Sequence, residues 1–173
     1  YVEGIGVQDV ERGGLSAIKE EPWQTDTSIG DWFYNKNWKT KDTGAMYRTP
    51  EWVIRNLVDI VSKNGNMLLN VIQRPDGSLD PEVERLLADV ADWMKVNAEA
   101  IFATRPWEVY GEGEAKVEGG HFKEDFGFTA KDIRFTRSKD GKTMYAIALG
   151  VPEGEVRIKS LRGDKRPVSD VRL

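Results

Sequence analysis

The chain has 173 residues, 39% of them hydrophobic and 31% charged, with a formal net charge of −4. This is the composition of a folded globular protein with room for a sizeable core, and no run approaches the roughly 20 apolar residues of a membrane span. The acidic balance gives no reason to expect a nucleic-acid surface, zero cysteines exclude disulfides and thiolate metal sites, and the single histidine, His121, excludes a multi-histidine metal centre within these residues.

Both ends read as interrupted. The chain opens at Tyr1 in mid-pattern, without Met or a signal-like segment, and stops after "RPVSDVRL", which reads as a strand. A fragment is the expectation. Residues 9–35, "DVERGGLSAIKEEPWQTDTSIGDWFYN", hold few of the periodic apolar positions that a helix or strand needs and read as an irregular loop. They carry four carboxylates near their start and a run of aromatics near their end. A sugar site uses that combination, and so does an ordinary surface loop.

The next segment, "YRTPEWVIRNLVDIVSKNGN", predicts a helix with Thr49 as N-cap, Pro50 at the first helical position and Glu51 near the positive end. Val53, Ile54, Leu57, Val58 and Val61 would form its buried face, with Gly65 as the left-handed residue that ends it. "MLLNVI", 67–72, reads as a strand buried on both faces, as in a parallel sheet. A turn, "RPDG" at 74–77, leads to a second helix capped by Asp80 and Pro81. Its stripe would be Val83, Leu86, Leu87, Val90, Met94 and Val96. Helix, buried strand, turn and helix form the α/β alternation of a barrel or a doubly wound sheet.

After about Pro106 the texture changes. "WEVYGEGEAKVEGGHFKEDFGF" is Gly-rich, "DIRFTRSKDGKTMYAIALG" alternates about a "KDGK" turn as a hairpin does, and "GEVRIKSL" reads as one more strand. The α/β part is therefore expected to span residues 1–105, with a connector and an antiparallel β part over 106–173. The glycines of "GEGEAKVEGG" follow no buried strand and open no helix, so they do not read as a phosphate loop.

Four stretches in this order, "PWQTDTSIGDWFYN", "LVDIVSKNGNMLLNV", "RPDGSLDPEVERLL" and "DWMKVNAEAIFATRPWEVYGEG", resemble the second half of the α-L-fucosidases of glycoside hydrolase family 29. The tail "FTAKDIRFTRSKDGKTMYAIALG" resembles the opening of that family's C-terminal β-sandwich. The resemblance implies an α/β fold, the C-terminal part of a (β/α)8-like barrel followed by the first strands of an antiparallel β-sandwich. It implies an exo-acting retaining enzyme that removes terminal α-L-fucose from glycans or glycoconjugates, with no cofactor and no metal. The expected partners are a fucosylated oligosaccharide and the N-terminal half of the catalytic domain, with neither nucleic acid nor membrane. The implied location is periplasmic or extracellular in a bacterium, or lysosomal in a eukaryote. One local departure is "QR" at Gln73 and Arg74, where the family usually has "P" or "KP".

A retaining glycosidase needs two carboxyl groups about 5–5.5 Å apart, one as nucleophile and one as acid and then base. The family's nucleophile is an Asp nearer the N-terminus, and neither its motif nor the family's fucose-binding histidines occur here. By resemblance, Glu11 is the candidate acid/base, standing twelve residues ahead of Trp23. Glu3, Glu20 and Glu21 are the alternatives, and a solvated loop Glu is the plain reading of the same residue. Gln24, in the column where some members carry a Glu, has no proton to give. Trp32, in "GDWFYN", matches the aromatic that packs on fucose, its indole offering a flat surface to the sugar's C–H groups and methyl. The competing reading is a core aromatic.

Phe33 and Tyr34 are expected to pack and Trp23 to hold the loop down. Asp26, Thr27 and Ser28 should serve as turn and strand-end hydrogen bonders, Asn66 and Asn70 as loop-orienting amides, and His121 as a surface residue. Arg105 and Trp107 are expected to seat the β part on the α/β part. A sugar-binding or scaffold relative without catalysis is the alternative from another class. A stand-alone lectin-like sandwich is a third reading, against which the α/β pattern over 49–98 argues.

Overall fold

A computed structural model describes residues 2, 4–41, 43–161 and 168–173. Three strands, β1 (Gln8–Asp9), β2 (Trp23–Ser28) and β3 (Gly65–Asn70), form a parallel sheet in the order β1-β2-β3. Helix α1 (Pro50–Ser62) connects β2 to β3, and α2 (Pro81–Asn97) follows β3. A 3-10 turn, Ala98–Ala100, then leads to an antiparallel sheet of β4 (Thr104–Glu112), β5 (Ile133–Ser138) and β6 (Met144–Ala148), in the order β4-β5-β6.

The start of α1 follows the expected cap. Thr49 Oγ1 accepts the Trp52 N–H at 3.2 Å with Pro50 just inside, an arrangement worth about 1 kcal/mol. The helix buries more than one stripe. Val53 and Val58 are buried with Trp52 and Ile60, while Ile54, Leu57 and Val61 are partly covered. The helix is sandwiched, with the parallel sheet on one side and the Gly-rich connector and β5 on the other.

Its end differs from expectation. Asn64, at φ 70°, takes the left-handed position, and Gly65 begins β3. Glycine is required at 65 for space, because a Cβ there would lie 2.6 Å from the Trp23 indole. Trp23 is fully buried, and its Nε1 donates to the Lys63 carbonyl at 2.9 Å. It anchors β2, as expected.

Residues 9–35 are not one loop. "WQTDTS" is β2 itself, with Trp23, Thr25 and Thr27 turned towards α1 and Gln24, Asp26 and Ser28 on the opposite face. Apolar periodicity missed it because threonines fill the buried positions, their hydroxyls satisfied by Val10 O and by Glu124. β3 lies two residues earlier than "MLLNVI" and is not covered on both faces. Leu68, beside Asp26 in the register, is 61% exposed.

On α2, Val83 and Leu86 are buried, Leu87, Val90 and Met94 partly so, and Val96 points outward at 83% exposure. Asp80 is its N-cap residue, but the side chain makes no cap bond. It accepts instead from Tyr47 Oη at 2.6 Å and pairs with Arg74, one of the two departures at 73–74.

The hairpin β5–β6 turns at Lys139–Lys142 with Gly141 at φ 73°. The strand expected at 154–161 does not pair. Ile158 and Leu161 lie against Trp107, Ile133 and Phe135, while the Glu112 carboxylate takes the Lys159 and Ser160 N–H groups at 2.8 and 2.7 Å. Residues 168–173 of the expected terminal strand likewise form no ladder; Arg166 and Pro167 lie outside the described residues.

For Arg105 and Trp107, expected at the join, the contacts seen lie within the β part. Arg105 donates to the neighbouring Thr104 carbonyl, and Trp107 packs edge-on against Phe135 in the second sheet's own core. The two parts meet through an apolar cluster that joins Val58 of α1 to Val117, Phe128 and Leu149, and through Arg134 of β5. Arg134 donates to Asp59 of α1 at 2.6 Å, and Lys63 holds the other oxygen of that carboxylate at 2.6 Å.

Candidate active site

In a parallel sheet all strands end at the same edge, so side chains on the loops that follow them converge there. β1 continues past Asp9 as an irregular pairing, with Val10 N–H on Gln24 O at 3.0 Å and Arg12 N–H on Asp26 O at 2.8 Å. Glu11 leaves the sheet at this edge and is partly buried. Its main chain is clamped by the connector: the N–H donates to His121 Nδ1 at 3.0 Å, and the carbonyl accepts the Phe122 N–H at 2.9 Å. His121 is exposed, as expected, yet it supports this turn.

Glu20 and Glu21 are exposed and precede β2, so they occupy the opposite edge. There Asn64 Nδ2 donates to the Glu20 carbonyl beside the end of α1. Glu3 lies outside the described residues. Geometry alone therefore separates Glu11 from Glu20 and Glu21.

Trp32 sits on the loop after β2, partly buried, and that loop is pinned from three sides. Asn70, the last residue of β3, donates to the Trp32 carbonyl and to Ser28 Oγ, each at 3.1 Å. Ser28 Oγ donates to Asp31 O at 2.7 Å. The Asp31 carboxylate takes Asn35 Nδ2 and the Trp32 N–H, each at 2.8 Å, bonds that hold its pKa below the usual value. Asn70 thus orients a loop at the edge, while Asn66 makes only a 3.5 Å contact with Trp23 O. Phe33 was expected to pack and is 83% exposed; Tyr34 does pack, against the cluster around Ile72 and Leu86.

The face below Glu11 is polar. Gln24 Nε2 donates to Asp9 Oδ1 at 3.0 Å. Asp26 stands in mid-strand rather than in a turn, with its pKa raised by burial first and then by the charge of Asp9, with Glu11 contributing less. Among the described residues no group of three His, Asp or Glu side chains converges in a way that could hold a metal ion. An open groove of about 690 Å³ lies elsewhere, between the 34–49 segment and α2, and neither Glu11 nor Trp32 lines it.

Sequence reasoning missed Arg12, Trp38 and Glu124. The Arg12 guanidinium stands 4.9 Å from the Trp32 ring centre and 5.8 Å from that of Trp38, and it donates to the Gly30 carbonyl and to Glu124. Arg12 follows Glu11 directly, a signal that was available. Glu124 comes 112 residues later, with nothing in its surroundings to announce it.

One sheet edge thus gathers a carboxylate and a braced indole over a polar face. The α-L-fucosidase family model matches residues 3–99, more than half of the chain, and the chain belongs to that family. Among curated relatives, the tissue α-L-fucosidase of Mus musculus is 32% identical over 147 residues, covering 83% of this chain and 28% of the relative. That of Bos taurus is 31% identical over 138 residues, covering 79% and 25%. Among solved structures, an α-L-fucosidase superposes with a TM-score of 0.65 at 29% identity, covering 85% of this chain and 30% of that one. The Thermotoga maritima α-fucosidase in complex with fucose superposes with a TM-score of 0.61 at 30% identity, covering 82% and 29%. The chain spans about a quarter of the length of the curated relatives it matches.

Proposed function

We propose that this chain is the C-terminal part of the catalytic barrel of an exo-acting, retaining α-L-fucosidase, over residues 1–105, followed by a connector and the first strands of a β-sandwich. Glu11 is the acid/base. It protonates the glycosidic oxygen as the bond to the leaving group breaks, and the resulting carboxylate then takes a proton from the water that hydrolyses the fucosyl-enzyme. Trp32 presents its indole to the sugar's apolar face. The nucleophile, an Asp, is supplied from outside these residues. The substrate class is a fucosylated glycan, in keeping with the fucose held by the Thermotoga maritima neighbour.

The observation that carries this reading is the placing of Glu11 and Trp32 on consecutive loops at one edge of neighbouring parallel strands. The test is hydrolysis of an aryl α-L-fucoside by the full-length protein, with the first-formed anomer followed by proton NMR. Release of α-L-fucose is expected. Release of the β-anomer would contradict retention, and fucose binding without turnover would make the protein a sugar-binding relative.

A further inference from the structure

The proposed reaction makes no use of Arg12, yet the structure invests heavily in it. Its backbone stands at φ 46°, in the left-handed region that suits glycine, although Gly13 and Gly14 follow directly. An arginine held in that conformation points to a task for its side chain. Only 11% of that side chain is exposed. Nη2 and Nη1 donate to the Gly30 carbonyl at 2.6 and 3.3 Å, and Nε donates to Glu124 Oε1 at 3.4 Å. The same group stands over the rings of Trp32 and Trp38, 4.9 and 5.8 Å from their centres.

A guanidinium suits both contacts, because its in-plane donors leave its faces free. Its anchor is itself fixed. Glu124 accepts Thr27 Oγ1 from β2 at 2.5 Å and Arg48 Nη2 at 2.9 Å.

We propose that Arg12 is a positioning residue for the sugar site: its guanidinium, anchored by Glu124 of the connector, sets the Trp32 indole in a fixed relation to Glu11, one peptide bond away. This rests on the reading of Glu11 and Trp32 as that site. It makes the connector, which follows the β3–α2 unit, part of what shapes a site formed by β1 and β2. Loss of Arg12 frees the indole and loosens the Glu11 turn together, so substrate binding and turnover decline in one variant.

The test uses the full-length protein labelled with 5-fluorotryptophan, in parent, Arg12→Met and Arg12→Lys forms, with the Trp32 fluorine line identified by its loss in Trp32→Phe. In Arg12→Met the Trp32 line should shift or broaden, while the Trp107 line, from the core of the second sheet, stays in place and reports an intact fold. Inhibition by free fucose should weaken about tenfold, with kcat lowered as well. Arg12→Lys keeps one charge for Glu124 but not the fork, so it should fall between parent and Met, and it carries the test if the Met variant does not fold. In a Trp32→Ala background, Arg12→Met should cost little further fucose binding, because the group it positions is already gone. An unmoved Trp32 line, or a loss that adds in full to that of Trp32→Ala, would overturn the proposal. A moved line with fucose inhibition unchanged in both Arg12→Met and Trp32→Ala would instead sink the sugar-site reading, leaving Arg12 as a packing residue.

Discussion

Asp59 of α1 and Arg134 of β5 meet at 2.6 Å with both side chains almost wholly buried, and Lys63 occupies the other oxygen of the same carboxylate. One buried anion thus serves two buried cations, with the Tyr110 ring 4.6 Å from the Lys63 nitrogen and 5.3 Å from the Arg134 guanidinium carbon. Removing the anion strands both charges, whereas removing one cation leaves a complete pair. In the full-length protein, Asp59→Asn should cost about 3–5 kcal/mol, while Lys63→Met should stay within about 1 kcal/mol of the parent or stabilise it. Urea unfolding of the two variants checks this, and equal losses would mean that the cluster acts as a single indivisible unit.

The same cluster carries a pH dependence. Burial pushes the Lys63 amine down from 10.5 to about 8, against the opposing pull of Asp59. Between about pH 8 and 10.5 the unfolded chain therefore holds this proton more firmly than the folded one. The contribution of Lys63 to stability rises with pH across that window and is least favourable below it. The melting temperature of the parent relative to Lys63→Met should climb from pH 8 to pH 10. A flat difference would place Lys63 outside the titrating set.

Trp32 is braced by hydrogen bonds to its main chain and by Arg12 on its ring, and it is only partly buried. In the full-length enzyme Trp32→Ala should cost on the order of 1–3 kcal/mol of transition-state binding, and fucose inhibition should weaken with it. A lowered melting temperature at an unchanged inhibition constant would make Trp32 a core residue.

The parallel sheet exposes Leu68 of β3 on the face it shares with Asp26 and Gln24. Expressed alone, this chain should show no turnover of an aryl fucoside, and the unpaired outer edges of β1 and β3 should drive association. Turnover by the isolated chain that Glu11→Ala abolishes would contradict the assignment of the nucleophile to residues outside it.

The helices were legible because their signals are local: Thr49-Pro50 and Asp80-Pro81 mark starts, and apolar spacing marks faces. The hairpin at Gly141 was legible for the same reason. β2 was hidden because its buried side chains are threonines paired with groups far along the chain, such as Glu124. Gly65 was misread because its reason is the Trp23 indole from another strand. Of the site, Glu11 and Trp32 were reached by resemblance, and their shared edge and the bracing by Arg12, Asn70 and Glu124 emerged only from the fold. Ion pairs such as Arg134–Asp59 join residues 75 positions apart and leave no periodic trace.

The central claim is that Glu11 gives a proton to the leaving group, and the most direct measurement is the leaving-group dependence of Glu11→Ala in the full-length enzyme. A natural fucoside must depart as an alkoxide without help, so its hydrolysis should be severely slowed. An aryl fucoside with an acidic phenol leaves unaided and should react much faster in the first step. Hydrolysis of the fucosyl-enzyme would remain slow, because the same carboxylate activates water there. Azide needs no general base, so adding it should restore turnover of the activated substrate and yield a fucosyl azide of configuration inverted from that substrate. Parent-like rates on natural fucosides, or equal impairment across all leaving groups with no response to azide, would contradict the account.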